Sequence, residues 1–407
     1  MVDCIRPTTK CKYTVPIPVS YVPDSEYPDQ TARLSSLLML MTSTTKERRN
    51  GHFIPFSREC WRKRFGGDAS YVKQAAIQSG LIDENDRYST GMDGAKAFCK
   101  SIRLRDEHRT GEFRVYELQR KTRQQPKPQL DQSRLKQVGI DLTGHLLHYV
   151  LPADFQPTSI WEAFQVDRIR HHDFYATRCD YGRFHSNITG LRRNTRFQLT
   201  TLSEEALSFI DVKSAQPLIV GVMARDRVRR QSGIPICDTL FRDDIDSWVA
   251  KCEDGSIYEF VLQQIQKYPI APYWVTPRKK SKRPFVVDVT TWKKSQAKKA
   301  FIACMFDRIP SMLANPVYPV IEQHFPTIAR FMVEAKASKY QALAHACQRM
   351  ESTIMIDGAT QKFMAAFPYA KPTTVHDELV CPSRFEAEAR QFILAEFKKY
   401  GVTPTIK

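Results

Sequence analysis

"TTVHDELVCP", residues 373–382, places a histidine, an aspartate and a glutamate in a row after a β-branched run. Val375 closes a strand signal that starts behind the Lys371-Pro372 break, and Leu379 and Val380 resume an apolar run. The pattern predicts two short strands joined by a tight turn at His376-Asp377. Two explanations compete for the polar trio. A charged strand end is the plain one. A metal site built on Asp377, with His376 and Glu378 beside it, is the sharper one, and the rest of the chain has to decide.

Composition narrows the field. At 407 residues the chain exceeds one ordinary core and predicts two or three domains. Its 42% hydrophobic and 26% charged residues are those of a globular protein. No apolar run approaches the ~18 residues of a membrane-spanning helix. The start, MVDCIRPTTKCKYT, lacks the apolar stretch of a signal peptide, so the expectation is a cytoplasmic protein with no membrane partner. The ten cysteines never form a C-x-x-C pair, which predicts reduced, partly buried thiols rather than zinc or redox motifs. A net charge of +17, from 61 basic and 44 acidic residues, favours a polyanionic partner, nucleic acid above all.

The clearest break in composition is "RKTRQQPKPQLDQ", residues 120–132, which reads as a linker. Ahead of it, in the N-terminal domain (1–119), "SRECWRKRFG" starts at the N-cap candidate Ser57 and ends at Gly66-Gly67. A second helix, "ASYVKQAAIQSG", stops at Gly80, and "LIDENDRYSTG" and "KAFCKSIRL" read as two strands. Helix, turn, helix and strand pair over about 53–104 is the plan of a winged helix, whose second helix would read a DNA groove. A small accessory α/β domain fits the same pattern. Residues 133–174 look largely helical, a connector or thumb-like segment, and from 175 to 407 short strands alternate with longer helices.

Four stretches in the larger part could carry chemistry. In "SFIDVKSAQPLIVGVM", Asp211 stands where a buried strand ends and a helix follows, either as a helix cap or as an oxygen ligand for a divalent cation. Asp211 and Asp377 are about 165 residues apart in sequence, and two such carboxylates are what two-metal phosphoryl transfer requires. In "TWKKSQAKKAFIACMFDR", Lys294, Lys298, Ile302 and Phe306 recur every four residues along one helix face. No acid within that helix can receive the two lysines, which suit a triphosphate, with Phe306 about 12 Å beyond Lys298. The alternative is a solvated basic face. In "CDYGRFHSNITGLRRNTRF", arginines beside Gly182 suit the approach of a sugar-phosphate chain, or form a polar surface loop.

Taken in order, these segments resemble the palm and fingers of family A DNA polymerases. "GRFHS" is similar to the segment that leads into that palm, which implies Arg183, with His185, Arg196 and His376, on the nucleic-acid strand. "DVKSAQP" resembles motif A and implies Asp211 as a catalytic metal ligand. "KKSQAKKAFIACMF" resembles motif B and implies Lys294 and Lys298 on the triphosphate and Phe306 near the incoming base. "VHDEL" resembles motif C and implies Asp377 as the second catalytic ligand, with Glu378 beside it on the metal. The resemblance spans about 175–385. It departs at Ile302 and Phe306, where the family has phenylalanine and tyrosine. It departs again at Gln216, in place of the glutamate that excludes ribonucleotides. That change predicts relaxed sugar selection at the nucleotide site.

The expected fold class is therefore α+β, a polymerase right hand with an antiparallel-sheet palm and helical fingers beside the small winged-helix-like domain. The chain looks most like the short polymerases and primases of phages, plasmids and mobile elements, which places it in a bacterial or phage-infected cell. The implied cofactor is Mg2+ at a two-metal site, with Mn2+ as a substitute. The implied partners are a DNA template with its primer or nascent strand, dNTPs and NTPs, and a helicase or accessory replication protein. Starting a chain without a primer is an option the resemblance leaves open. A single-subunit RNA polymerase or primase shares the motif order, and a non-catalytic DNA-binding replication or regulatory protein is the reading of a different class.

Overall fold

The computed structural model describes residues 14–42, 53–85, 99–109, 112–118, 132–231, 238–267, 273–277, 284–376 and 378–407. The expected linker lies outside these apart from Gln132, and so does Asp377. The protein is α+β, mainly helical, with small antiparallel sheets. Two compact units divide it. Unit 1 comprises Met1–Asp131, Val150–Tyr175 and Gly190–Gln198, and unit 2 comprises Gln132–Tyr149, Ala176–Thr189 and Leu199–Lys407. The expected connector is thus shared between them, its first helix going to unit 2 and its second to unit 1. Among the described residues no helix is long and apolar enough to cross a membrane, and every cysteine is free.

In unit 1, strand β1 (Thr14–Pro18) is followed by helix α1 (Pro28–Thr42), strand β2 (Ile54–Pro55), helices α2 (Arg58–Phe65) and α3 (Ala69–Gln78), and strands β3 (Ile82–Asn85), β4 (Ser101–Leu104) and β5 (Phe113–Glu117). Antiparallel pairing gives a three-stranded sheet in the order β2-β4-β3 and a separate β1–β5 pair. Ser57 caps α2 by accepting the Cys60 amide at 3.2 Å. Gly66 ends it at φ +61, a left-handed conformation that costs a Cβ-bearing residue about 1 kcal/mol or more. Trp61 (6% exposed) turns inward onto Phe56, ring edge to face at 4.8 Å, and joins Leu34, Leu38, Val72 and Ile102 in the core. The helix pair read from the sequence is present. Helix α1 and strand β2, which complete its core, carry no strong periodic signal of their own.

Unit 2 begins with helix α4 (Gln132–His145) and the hairpin of β6 (Ala176–Arg178) and β7 (Phe184–Ser186). Strand β8 (Leu207–Ile210) leads into helices α5 (Ala215–Gln231), α6 (Asp238–Glu253), α7 (Ile257–Lys267) and α8 (Lys294–Phe306). After further helices come α9 (Ala342–Ser352), a π-helical stretch Thr353–Thr360, the strands β9 (Thr373–Val375) and β10 (Glu378–Pro382), and helix α10 (Glu386–Lys398). The sheet order is β8-β10-β9, all antiparallel. β10 is buried along its whole length because it is the centre strand, which accounts for its near-continuous apolar run.

The helical part is organised around Trp248, which is fully buried between Phe301 and Phe325, with ring centroids at 5.5 and 5.1 Å. Its indole N–H donates to the Pro217 carbonyl at 2.8 Å, so the polar tip of this large side chain is satisfied. Close approach of α5 to α6 at this point requires Gly221. A Cβ there would lie 2.8 Å from Trp248 Cδ1 and 2.9 Å from Val249 Cγ2. Alanine is the better helix former by about 1 kcal/mol, yet overpacking a filled core costs about 1–3 kcal/mol. Gly221→Ala is therefore expected to lower stability in a urea melt, and an unchanged or raised midpoint would contradict this packing.

Candidate catalytic site

β8 carries Leu207–Ile210 against β10 with Leu207 opposite Pro382 and Ile210 opposite Leu379. Extending that register by one residue sets Asp211 level with Glu378. β9 and β10 pair Thr373 with Val380 and Val375 with Glu378, so two residues, His376 and Asp377, join the strands. The sheet thus brings Asp211 to the end of β10 at which Glu378 and His376 lie, across about 165 residues of sequence. Asp211 is partly buried and Glu378 is buried, both at the end of this sheet. The turn carries backbone strain. His376 has φ +60, where Asn or Gly is the ordinary choice for a two-residue hairpin.

A run at 402–407 flanks Asp211 on the side away from β10. Val212 bridges to Ile406, Lys213 N donates to Thr405 O at 2.9 Å, and Lys407 N donates to Asp211 O at 2.9 Å. Lys407 Nζ stands 3.7 Å from Asp211 Oδ2 and contributes positive charge there. Val402 and Pro404 are buried while Thr403 is exposed, a period-two signal in "VTPTIK" that the sequence reading passed over.

The strands are held from α4. Its His145 places Nδ1 at 2.8 Å from Pro372 O, and the buried Tyr149 donates its hydroxyl to Lys371 O at 2.6 Å. On the other side of β9 the β6–β7 hairpin brings His185 against His376, ring edge to face at 6.2 Å. Burial above all, then the neighbouring His376 and Arg183, holds His185 below the usual imidazole range, so near neutral pH it presents an uncharged ring.

Arg183 sits in the same hairpin, but its guanidinium donates to the buried carboxylate of Glu351 on α9, from Nε at 2.8 Å and also from Nη2. Arg178 pairs with Asp357 at 2.7 Å, and Lys136 of α4 reaches the same carboxylate at 3.1 Å. Tyr181 stacks on His345 at 4.0 Å with the Arg349 guanidinium over its ring. Gly182 takes φ +86 where a Cβ would meet Ser352 Cβ at 3.0 Å. The hairpin is therefore clamped to α9 and the π-helical stretch. Glu351, Asp357, Tyr181, His345 and Lys407 are the site's supporting residues that sequence reasoning missed, and apart from Lys407 no local pattern marks them.

Gln216 occupies the first turn of α5, five residues beyond Asp211, and is partly buried. Lys294, Lys298 and Phe306 lie on α8 as the four-residue spacing predicts, with both lysines exposed. No acid within α8 receives the lysines, as its sequence predicts, but α7 supplies one from outside the helix. Glu259 Oε2 lies 3.4 Å from Lys294 Nζ, and Tyr258 places its ring under Lys298 Nζ at 5.3 Å. Phe306 packs on the helical core. Arg196 belongs to unit 1, where its guanidinium donates to Leu191 O at 3.1 Å.

Compared with known proteins, the chain matches no family model, and no curated protein matches it. Among the described residues no three His, Cys, Asp or Glu side chains cluster closely enough to hold a metal ion. Asp211 and Glu378 bring oxygen donors to the sheet end, the donor type that hard cations take, beside the Lys407 ammonium.

Burial, outweighing its bond to Pro372 O, pushes the His145 imidazole down to about 4. The unfolded chain takes up that proton near the ordinary value of about 6.5. The contribution of His145 is then fully present above about pH 6.5 and is lost as pH falls towards 4. Denaturant melts across that window are expected to show stability falling with pH, with a smaller fall in His145→Gln. An identical fall in the variant would contradict the role given to His145.

Proposed function

We propose that the chain is a magnesium-dependent, template-directed nucleotidyltransferase, a right-handed polymerase of the family A type acting in DNA replication of a mobile element, plasmid or phage. The observation that carries the reading is the β8–β10–β9 register, which sets Asp211 level with Glu378, the residue next to Asp377. In this reading Asp211 and Asp377 hold the cation, with Glu378 beside them. When bound, Mg2+ supplies charge stabilisation at the transferring phosphate and lowers the pKa of the attacking hydroxyl.

The chain's own residues do the rest. Lys294 and Lys298 hold the triphosphate, and Phe306 meets the incoming base. Gln216 stands where the family that the chain resembles carries the glutamate that excludes ribonucleotides, so dNTPs and NTPs both serve. His185 and His376, edge to face on adjoining strands, contact the primer end. Arg183 acts through position, fixing the hairpin that carries His185 by its pair with Glu351. Breaking a buried pair of this kind costs about 3–5 kcal/mol. In unit 1 the order helix, strand, two helices, strand pair supports the winged-helix reading. That unit is the DNA-docking module, to which Arg196 also belongs.

Extension of a labelled primer on a DNA template, with dNTPs or NTPs and Mg2+, tests the assignment. Asp211→Ala and Asp377→Ala are each expected to lose incorporation while template binding stays within about twofold of the parent chain (Asp211 and Asp377 serve catalysis, not the phosphate grip that dominates affinity). Undiminished incorporation by Asp377→Ala would remove the proposal.

A further inference from the structure

Unit 1 contains a cleft of about 730 Å³ between α2 and the start of α3, floored by Phe56 and Trp61. Arg58 and Arg62 line it from α2, Lys100 from the start of β4, and Lys73 from α3. The arginines are one helical turn apart and exposed, and neither makes an ion pair among the described residues. Two like charges at that spacing repel each other on the helix surface, and a bound polyanion would reverse that repulsion. Two other pairs of nearby charges are internally matched. Lys63 pairs with Glu59 at 2.9 Å, and Lys73 pairs with Glu84 at 2.5 Å.

A second observation concerns the turn between the helices. Gly66 is required by its φ of +61, but Gly67 is outside the left-handed region and a Cβ there would meet nothing within 4 Å. Neither backbone nor packing within the unit calls for glycine at 67. Close approach of a ligand's backbone to the peptide at the cleft mouth would. The exposed face of α3, by contrast, offers Ser70, Tyr71, Gln74 and Gln78, all uncharged.

We propose that this cleft grips the phosphodiester backbone of a DNA strand, with Arg58 and Arg62 as its cations. The proposal rests on the reading of unit 1 as a DNA-docking module and changes its polarity. The first helix of the pair carries the phosphate contact, and α3, expected from the sequence to be the groove reader, carries no free charge into it. Guanidinium groups suit this task because their planar fork matches phosphate oxygens.

Anisotropy of a short fluorescein-labelled DNA duplex with the full chain, over a salt series, tests it. Each phosphate neutralised contributes about 0.9 to the slope of log affinity against log salt. Arg58→Ala/Arg62→Ala is expected to lower that slope by about two. Arg58→Lys/Arg62→Lys should retain it, which separates lost charge from lost folding. Tyr71→Ala/Gln74→Ala on α3 should leave it unchanged. Displacement of the duplex by free dNTP in the parent chain but not in Arg58→Ala/Arg62→Ala would assign the cleft to a nucleotide and overturn the proposal. An unchanged slope in the arginine variant, with weakened binding in the α3 variant, would overturn it while leaving the docking module intact. Unchanged binding in both would overturn the two readings together.

Discussion

The pairing of β8 with β10 is the constraint on which the rest of the site depends. A one-residue slip in an antiparallel pair moves every side chain to the other face. Here Ile210 and Leu379 are fully buried opposite each other, so slippage would expose apolar residues on both strands. The register that protects them also fixes Asp211 level with Glu378. The catalytic geometry proposed for this protein is in that sense a consequence of core packing.

β9 shows what the register costs. This three-residue strand lies between two non-glycine residues of positive φ, Lys371 at +44 and His376 at +60. Each costs about 1–2 kcal/mol. Burial of Thr373, Thr374 and Val375, with Tyr149 and His145 bonded to the backbone just before the strand, offsets the strain. Strain of this kind, retained at one turn and supported from neighbouring elements, is common where a side chain must point in one direction.

Much of unit 2's local structure was legible. The strand ending at Ile210, the helix around Pro217, the lysine-bearing helix and the two short strands at 373–375 and 378–382 all follow from apolar period and breakers. What was not legible is what depends on distant partners. The buried carboxylate of Glu351 sits in the last turn of α9 with no periodic mark, because its role is set by Arg183, 168 residues away in sequence. Lys294 looked unpartnered because Glu259 lies on another helix. In unit 1 the helix pair was read from its caps, whereas α1 (PDQTARLSSLLMLMT) has no such punctuation in its sequence and is defined by what it packs against. The unit boundary at 131–132 falls at the end of the compositional break at 120–132, whereas the chain also passes between the units at 149–150, 175–176, 189–190 and 198–199, where no such break marks it.

The central claim is that Asp211 and Asp377 share one cation site at the end of this sheet. Electron paramagnetic resonance of free Mn2+, titrated with the full chain in the presence of primer–template and a non-hydrolysable dNTP, measures that directly. The parent chain is predicted to deplete the free Mn2+ signal, and Asp211→Asn and Asp377→Asn each to lose most of that uptake. Uptake in both variants equal to that of the parent chain would contradict the account.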